Sequence, residues 1–371
     1  MGSRGAAAAR PRPVDEVCVA HVDHASMTHW LPAHARTTYR TRLLPLPDDF
    51  VAYLRADGPL ILPKTQKVAR AVARGGIDNF DVDELLEDDL EDDEDDEDAL
   101  AFPDLERAID AAISSLGGVA FCKLNWSAPR DAGWMTGNSL ECRCAADVFV
   151  LLKASDFAAH DSSRAFDRCV DLDTAKTNTV LTLALRQFRL IEPSSEFRCF
   201  VRADRLTAAS QRQTDEAFSA LASREAVDRV REQISVFFDD NLRARHADAD
   251  FVFDVAVLSE SVTLVDVNVL SRSTDSKLFD WDELESIASS FERADGPTRF
   301  DSFELRVAQD CAGKEMRAAE LSSFRAPADV LDLHMLGGIE ALIARQRADD
   351  SDDSSDDEDP TADGFDEGDD G

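Results

Sequence analysis

The sequence lacks the features that mark a secreted, membrane-bound or nucleic-acid-binding protein. Its 371 residues include 7 cysteines, and Cys142 and Cys144 alone lie close together, so neither a disulfide framework nor a zinc site is predicted. No apolar run approaches the roughly 18 residues that a membrane span requires. No cluster of lysine and arginine is present that could neutralise a row of phosphates. We therefore expect a cytoplasmic protein with reduced thiols that binds neither nucleic acid nor membrane.

Basic residues are scarce, and the imbalance is local. There are 40 lysines and arginines against 75 aspartates and glutamates, a formal net charge of −35. Residues 81–98 hold 14 acids and residues 349–371 hold 13, with no base in either stretch, which leaves 48 acids against 40 bases elsewhere. Such runs repel themselves and have little apolar surface to bury. They are either solvated spacers or acidic arms that contact a basic partner.

These stretches set the predicted domain boundaries. We predict a flexible N-terminus over residues 1–15 and one globular domain over 16–348, which acts as a monomer. A disordered acidic insertion at about 78–98 interrupts this domain, and a disordered acidic tail follows at 349–371.

Hydrophobic periodicity predicts helices and antiparallel hairpins in mixed order. A helix over 103–116 ends at Gly117 and Gly118, and a helix over 214–238 begins with Thr214 as its cap. The other predicted elements are a short helix between the proline breaks of 40–63, a strand at 119–124, a helix over 145–156, a β-rich run at 179–191, hairpins at 196–213 and 251–268, and a helix capped by Asp280 with Glu283 in the capping-box position. The class is α+β, not a doubly wound parallel sheet.

Four histidines near the N-terminus raise the question of a metal site. His21, His24, His29 and His34 lie within fourteen residues, beside Trp30. No cysteine or carboxylate follows at ligand spacing. We interpret the segment as a packing element, with a metal site as the alternative.

Two aspartates interrupt the apolar strands of the hairpin at 251–268. A turn over residues 259–261 predicts the opposed pairs Leu258–Val262, Ala256–Leu264, Asp254–Asp266 and Val252–Asn268. Like charges directly opposite each other destabilise a sheet, and their desolvation costs several kcal/mol each. A cation between the two carboxylates would remove this penalty.

The ligand types indicate which cation would fit. Asp254, Asp266 and the amide oxygen of Asn268 form an all-oxygen set, which suits Mg²⁺ or Mn²⁺ better than zinc. Mg²⁺ commonly completes its shell with water and phosphate oxygens, so a nucleotide is its expected companion. The alternative is that both aspartates lie on a solvated face, with the apolar residues of the other face forming the core.

Basic residues upstream could complement such phosphates. Lys123 ends an apolar strand, Arg130 lies in the following loop, and Arg198 shares a strand face with Glu196. Lysine binds phosphate as a point charge and arginine as a fork. Because G-x-x-x-x-G-K-[ST] is absent, a P-loop fold is not predicted.

The stretches that carry these residues resemble the cell division cycle protein 123 family. They are LNWSAPRDAGWM, EFRCFV followed by SQR, DFVFDV followed by VDVN, and TDSKLFDWDEL, and the resemblance runs from about Trp30 to Asp332. It implies an ATP-grasp-like fold, in which two α+β subdomains with antiparallel sheets enclose a nucleotide cleft. It also implies an assembly chaperone that binds the gamma subunit of eukaryotic translation initiation factor 2 and promotes its joining with the alpha and beta subunits.

The same resemblance implies binding of ATP and Mg²⁺ by particular residues. Lys123 and Arg198 would contact phosphates, and Asp254, Asp266 and Asn268 would hold Mg²⁺. The loop that would line the nucleotide comprises Trp126, Ser127, Ala128, Pro129, Arg130 and Asp131. The segment against the adenine would comprise Arg186, Gln187 and Phe188.

One stretch departs from the family pattern. The family follows the metal asparagine with Pro-Phe-Gly, whereas Val269, Leu270 and Ser271 follow Asn268 here. Loss of proline and glycine changes the turn available to the backbone beside the phosphates. Two other functions are therefore kept open: an ATP-grasp ligase that activates a carboxylate for an amine, using Arg130 or Arg212, and a binding protein whose nucleotide site has decayed.

Overall fold

The computed structural model describes residues 12–56, 62–64, 100–136, 139–175, 177, 179–293 and 303–309. The predicted acidic insertion and acidic tail lie outside the described residues. Within the predicted flexible start, residues 12–15 are described, and Val14 is buried. Among the described residues, no helix is long and apolar enough to cross a membrane.

The described elements alternate between helices and strands. The first part of the chain forms α1 (Val19–Ala25), α2 (Met27–His34), β1 (Thr41–Pro45), α3 (Asp48–Arg55), α4 (Pro103–Ser115), β2 (Ala120–Lys123), β3 (Glu141–Cys142), α5 (Ala145–Lys153), α6 (Asp156–Ser163) and β4 (Thr182–Gln187). The second part forms β5 (Glu196–Arg202), β6 (Arg205–Gln211), α7 (Arg224–Asn241), β7 (Phe251–Val257), β8 (Val262–Val269), α8 (Trp281–Arg293) and β9 (Glu304–Arg306). Short 3₁₀ turns cover Arg130–Thr136, Pro193–Ser195 and Ser219–Leu221.

The first sheet has the order β1-β4-β2-β3, and each pair is antiparallel. Helices α3, α4 and α5 supply its core, in which Phe50, Ile109 and Phe149 are almost fully buried. Helix α4 ends as predicted, because Gly117 and Gly118 adopt positive φ angles of 106° and 85° and close the last turn.

The second sheet has the order β8-β7-β5-β6-β9 and is antiparallel except for the β6–β9 pair. Its residues alternate between two faces. One face packs against α7, where Phe238 stacks on Phe253 at 6.0 Å, and the other face carries Arg198 and Asp254. The α+β class and the two-sheet arrangement expected of an ATP-grasp-like fold are confirmed.

The register of the β7–β8 hairpin agrees with the prediction at its functional end and differs at its turn. Asp254 opposes Asp266 and Val252 opposes Asn268, but Val257 opposes Val262 and Ala256 opposes Thr263. The predicted pairs Leu258–Val262 and Ala256–Leu264 are therefore wrong. The turn is one residue longer than predicted, closed by the Leu258 N–H donating to the Ser261 carbonyl (2.8 Å). A bulge between Asp254 and Val255, with Val265 as the extra residue, absorbs this difference.

The helix predicted from Thr214 begins ten residues later. Ser223 is the cap of α7, and its hydroxyl accepts a hydrogen bond from the Ala226 N–H (3.1 Å). In the stretch before it, the carbonyls of Gln213 and Glu216 accept hydrogen bonds from the Gln211 side-chain amide (2.5 and 2.8 Å). These carbonyls are therefore not free to accept the N–H groups of a helix.

The histidine segment packs through α1 and α2. Trp30 and His34 are buried, and His24 contacts Asp248 at 2.8 Å. Within the described part of the chain, no group of three or more histidine, cysteine, aspartate or glutamate side chains is arranged to hold a metal.

Candidate functional site

Several of the predicted site residues meet where the two sheets contact each other. Lys123, the last residue of β2, donates from its Nζ to Asp266 Oδ1 of β8 at 2.5 Å. Lys123 is 2% exposed. Burial lowers the pKa of Lys123, and the Asp266 carboxylate opposes this effect. The contact is therefore an ion pair that joins one sheet to the other.

Asp254 is held by arginines of its own sheet. Strand pairing places Arg198 of β5 directly opposite Asp254, and the guanidinium binds both carboxylate oxygens at 2.8 and 2.9 Å. Arg212 adds a third contact at 3.3 Å. Burial alone would raise the pKa of Asp254, but Arg198 and Arg212 outweigh it and hold this pKa well below its usual range. Asp254 is therefore ionised. The alternative that Asp254 lies on a solvated face of the sheet is wrong, because the residue is 1% exposed.

Several basic groups meet at this junction, and two of them, Arg130 and Arg186, have no carboxylate partner in the part of the chain that the structure describes. Arg130 is half-buried, and its guanidinium has no hydrogen-bond or ion-pair partner among the described residues. The charge of Arg212, together with burial, lowers the pKa of Arg130 to about 10. Arg186 is buried and contributes a further charge that acts on Lys123.

The balance of charge indicates an anionic ligand. The cations are Lys123, Arg130, Arg186, Arg198 and Arg212. The acids whose charges act on them are Asp161, Glu196, Asp254, Asp266 and Asp275, of which Asp275 pairs with Lys277. Buried charge without a counter-charge is costly. An anion such as phosphate would relieve the excess, and a divalent cation would increase the need for one.

The structure bears on the predicted metal ligands in two ways. The repulsion between the facing aspartates is offset by protein cations, namely Lys123, Arg198 and Arg212. The side-chain nitrogen of Asn268, however, is buried and has no hydrogen-bond partner among the described residues. No hydrogen bond therefore holds this amide away from a ligand. Two carboxylates and an amide oxygen are the ligand types that Mg²⁺ takes. Here the Asp254 and Asp266 oxygens would be shared with Arg198, Arg212 and Lys123, through the further lone pairs that each carboxylate oxygen has.

A buried carboxylate fixes the loop after β2. Asp161 accepts hydrogen bonds from the N–H groups of Trp126 (3.2 Å) and Ser127 (2.7 Å) and from the Ser127 hydroxyl (2.8 Å). The Trp126 indole donates to the Val22 carbonyl (2.7 Å) and packs edge-on against Phe166. Trp126 is therefore occupied by contacts with the N-terminal helices.

The end of this loop has a structural role that the sequence did not indicate. Asp131 accepts from the Ser155 hydroxyl (2.6 Å) and from the Phe157 N–H (3.2 Å), at the start of α6. Its carboxylate thus supports the cap of that helix. Between these fixed points lie Ala128 and Pro129, where the Ala128 carbonyl accepts from the Arg130 N–H (2.8 Å).

The segment predicted to lie against adenine sits at the end of β4. Arg186 points toward the second sheet, donating to the Val265 carbonyl (2.6 Å) and to the Thr38 hydroxyl (2.8 Å). The Val265 carbonyl that accepts from Arg186 belongs to the bulged residue of β8. Gln187 and Phe188 are half-buried and pair through their backbones with Arg40 and Val119.

A cavity of about 570 Å³ lies beside α1 and α2. It is lined by residues that include Asp23, His24, His29, Asp171 and Thr179. It contains none of the predicted site residues, so the charged junction is the better candidate site.

Two important contributors were missed or misassigned from sequence. From the sequence, Arg212 is assigned to the ligase alternative alone. Ser210 opposes Arg198, and Arg212 lies two residues after Ser210, so its side chain falls on the same face as Arg198. Strand alternation could have found it. Asp161 offered no such signal, because its contacts with the loop span about 35 residues of chain.

The comparisons with known proteins agree on one family. The D123 family model matches residues 30–334. A relative from Ajellomyces capsulatus, named translation initiation factor eIF2 assembly protein, is 36% identical over 290 residues, which cover 71% of this chain and 66% of that protein. A relative of the same name from Xenopus tropicalis is 32% identical over 346 residues, which cover 89% of this chain and 98% of that protein.

A solved structure supports the same conclusion. The structure of Cdc123 from Schizosaccharomyces pombe aligns with a TM-score of 0.61 and 29% identity, covering 79% of this chain and 99% of that one. The resemblance to the cell division cycle protein 123 family is confirmed, and the chain belongs to the D123 family.

Proposed function

We propose that this chain is an ATP- and Mg²⁺-binding assembly chaperone for eukaryotic translation initiation factor 2. It binds the gamma subunit and promotes formation of the alpha-beta-gamma heterotrimer, acting as a monomer in the cytoplasm. The names of the Ajellomyces and Xenopus relatives support the eIF2 role. The observation that carries the nucleotide role is the presence of Arg130 and Arg186, which have no carboxylate partner within the described ranges, close to Asp254 and Asp266.

In this proposal different residues of the junction bind different parts of the nucleotide. Lys123, Arg130 and Arg198 bind the phosphates, and Asp254, Asp266 and Asn268 hold Mg²⁺, which neutralises part of the phosphate charge. Ser127, Ala128 and Pro129 line the nucleotide along the loop that Asp161 fixes. Arg186, Gln187 and Phe188 lie on the adenine side.

The position of the site suggests what the nucleotide does. Lys123 and Asp266 belong to different sheets, and their ion pair lies at the proposed phosphate site. A ligand that contacts both sheets stabilises the arrangement that it binds best. ATP would therefore fix the two sheets relative to each other and so define the surface offered to the gamma subunit.

The nucleotide part is tested by thermal unfolding with and without Mg-ATP. The melting temperature of the wild type should rise with Mg-ATP, and Asp266→Ala should abolish most of this rise. An unchanged melting temperature at millimolar Mg-ATP would exclude the nucleotide site and favour the decayed one. ADP release that depends on an added acid and amine would instead favour the ligase.

The partner is tested by pull-down of the purified gamma subunit with the wild type and with Asp266→Ala. Wild type should retain the subunit, and Asp266→Ala should retain less of it in the presence of Mg-ATP. Failure of the wild type to retain it would remove the chaperone role, whatever the nucleotide result.

A further inference from the structure

The first described residues bind the end of β8. We name residues 12–16 the N-terminal clasp; they lie outside the residues 30–334 that the family model matches. The Arg12 guanidinium donates to the Leu270 carbonyl (2.8 Å) and to the Glu16 carbonyl (2.5 Å). The Arg12 carbonyl in turn accepts from Arg202 (2.7 Å), a residue of β5. Arg12 thus connects the clasp to two parts of the second sheet.

Apolar packing and a second ionic contact hold the clasp in place. Val14 is 2% exposed and packs in a cluster with Phe200, Val252 and Leu270. Asp15 pairs with Arg272 at 3.4 Å. The clasp therefore contacts the stretch after β8 at Leu270 by hydrogen bonding and packing, and at Arg272 by charge.

The stretch that it holds is the one that departs from the family pattern. Residues 269–271 stand where the family has Pro-Phe-Gly. Within residues 269–274, the Thr274 hydroxyl donates to the Val269 carbonyl (2.7 Å) and the Ser273 N–H donates to the Ser271 hydroxyl (3.2 Å). Other contacts leave this stretch, since the Trp281 indole donates to the Thr274 carbonyl (3.2 Å) and Arg272 donates to Asp282 (2.8 Å). The Leu270 carbonyl accepts from Arg12, which joins this residue to the clasp.

Asn268 depends on this backbone because its side chain has no hydrogen-bond partner among the described residues. Its backbone lies in the β7–β8 ladder, where Asn268 pairs with Val252 and Val269, the last residue of β8, pairs with Phe251. Leu270 is the first residue beyond the end of the ladder, and Arg12 and Val14 hold it.

We propose that the N-terminal clasp, acting through Arg12 on Leu270, positions Asn268 for a divalent cation bound with nucleotide. This inference rests on the proposed function. Arg12 is a positioning residue, since it contacts the backbone next to Asn268 and not the ligand. The clasp adds a constraint at Leu270, the residue that follows the end of the β7–β8 ladder.

The test measures ATP binding by titration calorimetry, in EDTA and across a Mg²⁺ series, on the full-length chain. Arg12→Ala should leave ATP affinity in EDTA within about twofold of the wild type. It should raise the Mg²⁺ concentration for half-saturation about tenfold, the lower end of the loss typical when a group supporting a metal ligand is removed. Arg12→Lys, which keeps one donor, should fall between the two.

A matched control separates positioning from general stability. Arg243 follows α7, on the opposite face of the second sheet, where it pairs with Asp239 and lies over Phe238. Arg243→Ala should bind Mg²⁺ and ATP as the wild type does, and both variants should be compared by urea unfolding without ligand.

The outcomes distinguish the inference from the function on which it rests. The proposed role of the clasp would be overturned if Arg12→Ala needed the same Mg²⁺ concentration for half-saturation as the wild type, or if Arg243→Ala raised that concentration as much as Arg12→Ala. Both results would leave the nucleotide site intact. Equal weakening of ATP binding in EDTA and in Mg²⁺ would also overturn it. A wild type that binds no ATP would overturn the proposed function and the inference with it.

Discussion

Asp254 shows how burial and charge combine at a single residue. It is 1% exposed, and Arg198 and Arg212 share its two oxygens. Removal of one member of a buried pair leaves the other charge without compensation, which typically costs about 3–5 kcal/mol. We expect Asp254→Asn to lower the free energy of unfolding by about 3–5 kcal/mol in urea titrations.

The exposed pair Arg107–Asp104 on α4 provides the matched control for that substitution. Both side chains are largely exposed to water, so Asp104→Asn should change stability by about 0.5 kcal/mol or less. If Asp254→Asn is as mild as Asp104→Asn, the arginine contacts do not hold the carboxylate in solution.

His246 makes stability depend on pH. It lies against Phe251, with ring centroids 4.3 Å apart, and burial together with His34, His24 and His29 lowers the pKa of His246 to about 3. In the unfolded chain the pKa is near 6.5, so between these values the unfolded state binds one more proton. The contribution is therefore complete above about pH 6.5 and is lost as the pH falls.

The expected loss between pH 7 and pH 5 is about 2 kcal/mol, from about 1.4 kcal/mol per pH unit for one proton. His246→Phe keeps a ring against Phe251 and should remove that share of the pH dependence in urea unfolding at the two pH values. His21 and His34, whose pKa values burial also lowers, should leave a residual dependence. An unchanged slope in His246→Phe would show that His246 titrates normally.

The sequence could place some site residues together and not others. Strand alternation has a period of two, so the opposition of Asp254 and Asp266 followed from the hairpin alone. The partner cations could not be assigned in this way, because Lys123 and Asp266 are 143 residues apart. From the sequence, a metal is predicted to compensate the charges of the two aspartates. In the structure, Arg198, Arg212 and Lys123 compensate them.

At the scale of elements, hydrophobic periodicity predicts which segments form helices and strands. It predicts the first residue of each element less well. The start of α7 shows why. Thr214 and Ser223 are both suitable caps, each followed by acidic residues. The choice depends on Gln211, whose amide binds the carbonyls of Gln213 and Glu216. That contact is made by the last residue of β6 and is not visible in a helical pattern.

Substitution of the two caps tests this assignment. Ser223→Ala removes the acceptor for the Ala226 N–H and should cost about 1 kcal/mol, the usual value of a helix cap. Thr214 does not cap α7, so Thr214→Ala should leave the helix content unchanged. Urea unfolding measures the cost of Ser223→Ala and far-ultraviolet circular dichroism measures the helix content of both variants, and a loss of helix content in Thr214→Ala would restore the longer helix.

At the scale of the whole molecule, polar contacts from the first sheet and from Thr38, just before β1, reach neighbouring positions of β8. Lys123 pairs with Asp266, Arg186 donates to the carbonyl of Val265, and the Thr38 hydroxyl donates to the carbonyl of Leu264 (2.7 Å). All three acceptors lie along one strand, β8. The bulge at Val265 contributes directly, since it presents the carbonyl that Arg186 binds.

A double-mutant cycle on Lys123 and Asp266 tests how strongly this junction holds the molecule together. Asp266→Asn leaves Lys123 buried without its partner and should cost up to about 5 kcal/mol. Lys123→Met should cost less, about 3 kcal/mol, because the Asp266 side chain is 19% exposed and retains some water.

The double variant Lys123→Met/Asp266→Asn should be more stable than the sum of the two losses predicts, because it leaves no unpaired charge. Urea unfolding of the four proteins gives the coupling energy. Additive losses would mean that the two side chains do not interact across the junction, and the sheets would then be held by the Arg186 and Thr38 contacts and by apolar packing. Non-additive losses without ligand, reduced when Mg-ATP is bound, would place the phosphates at this ion pair.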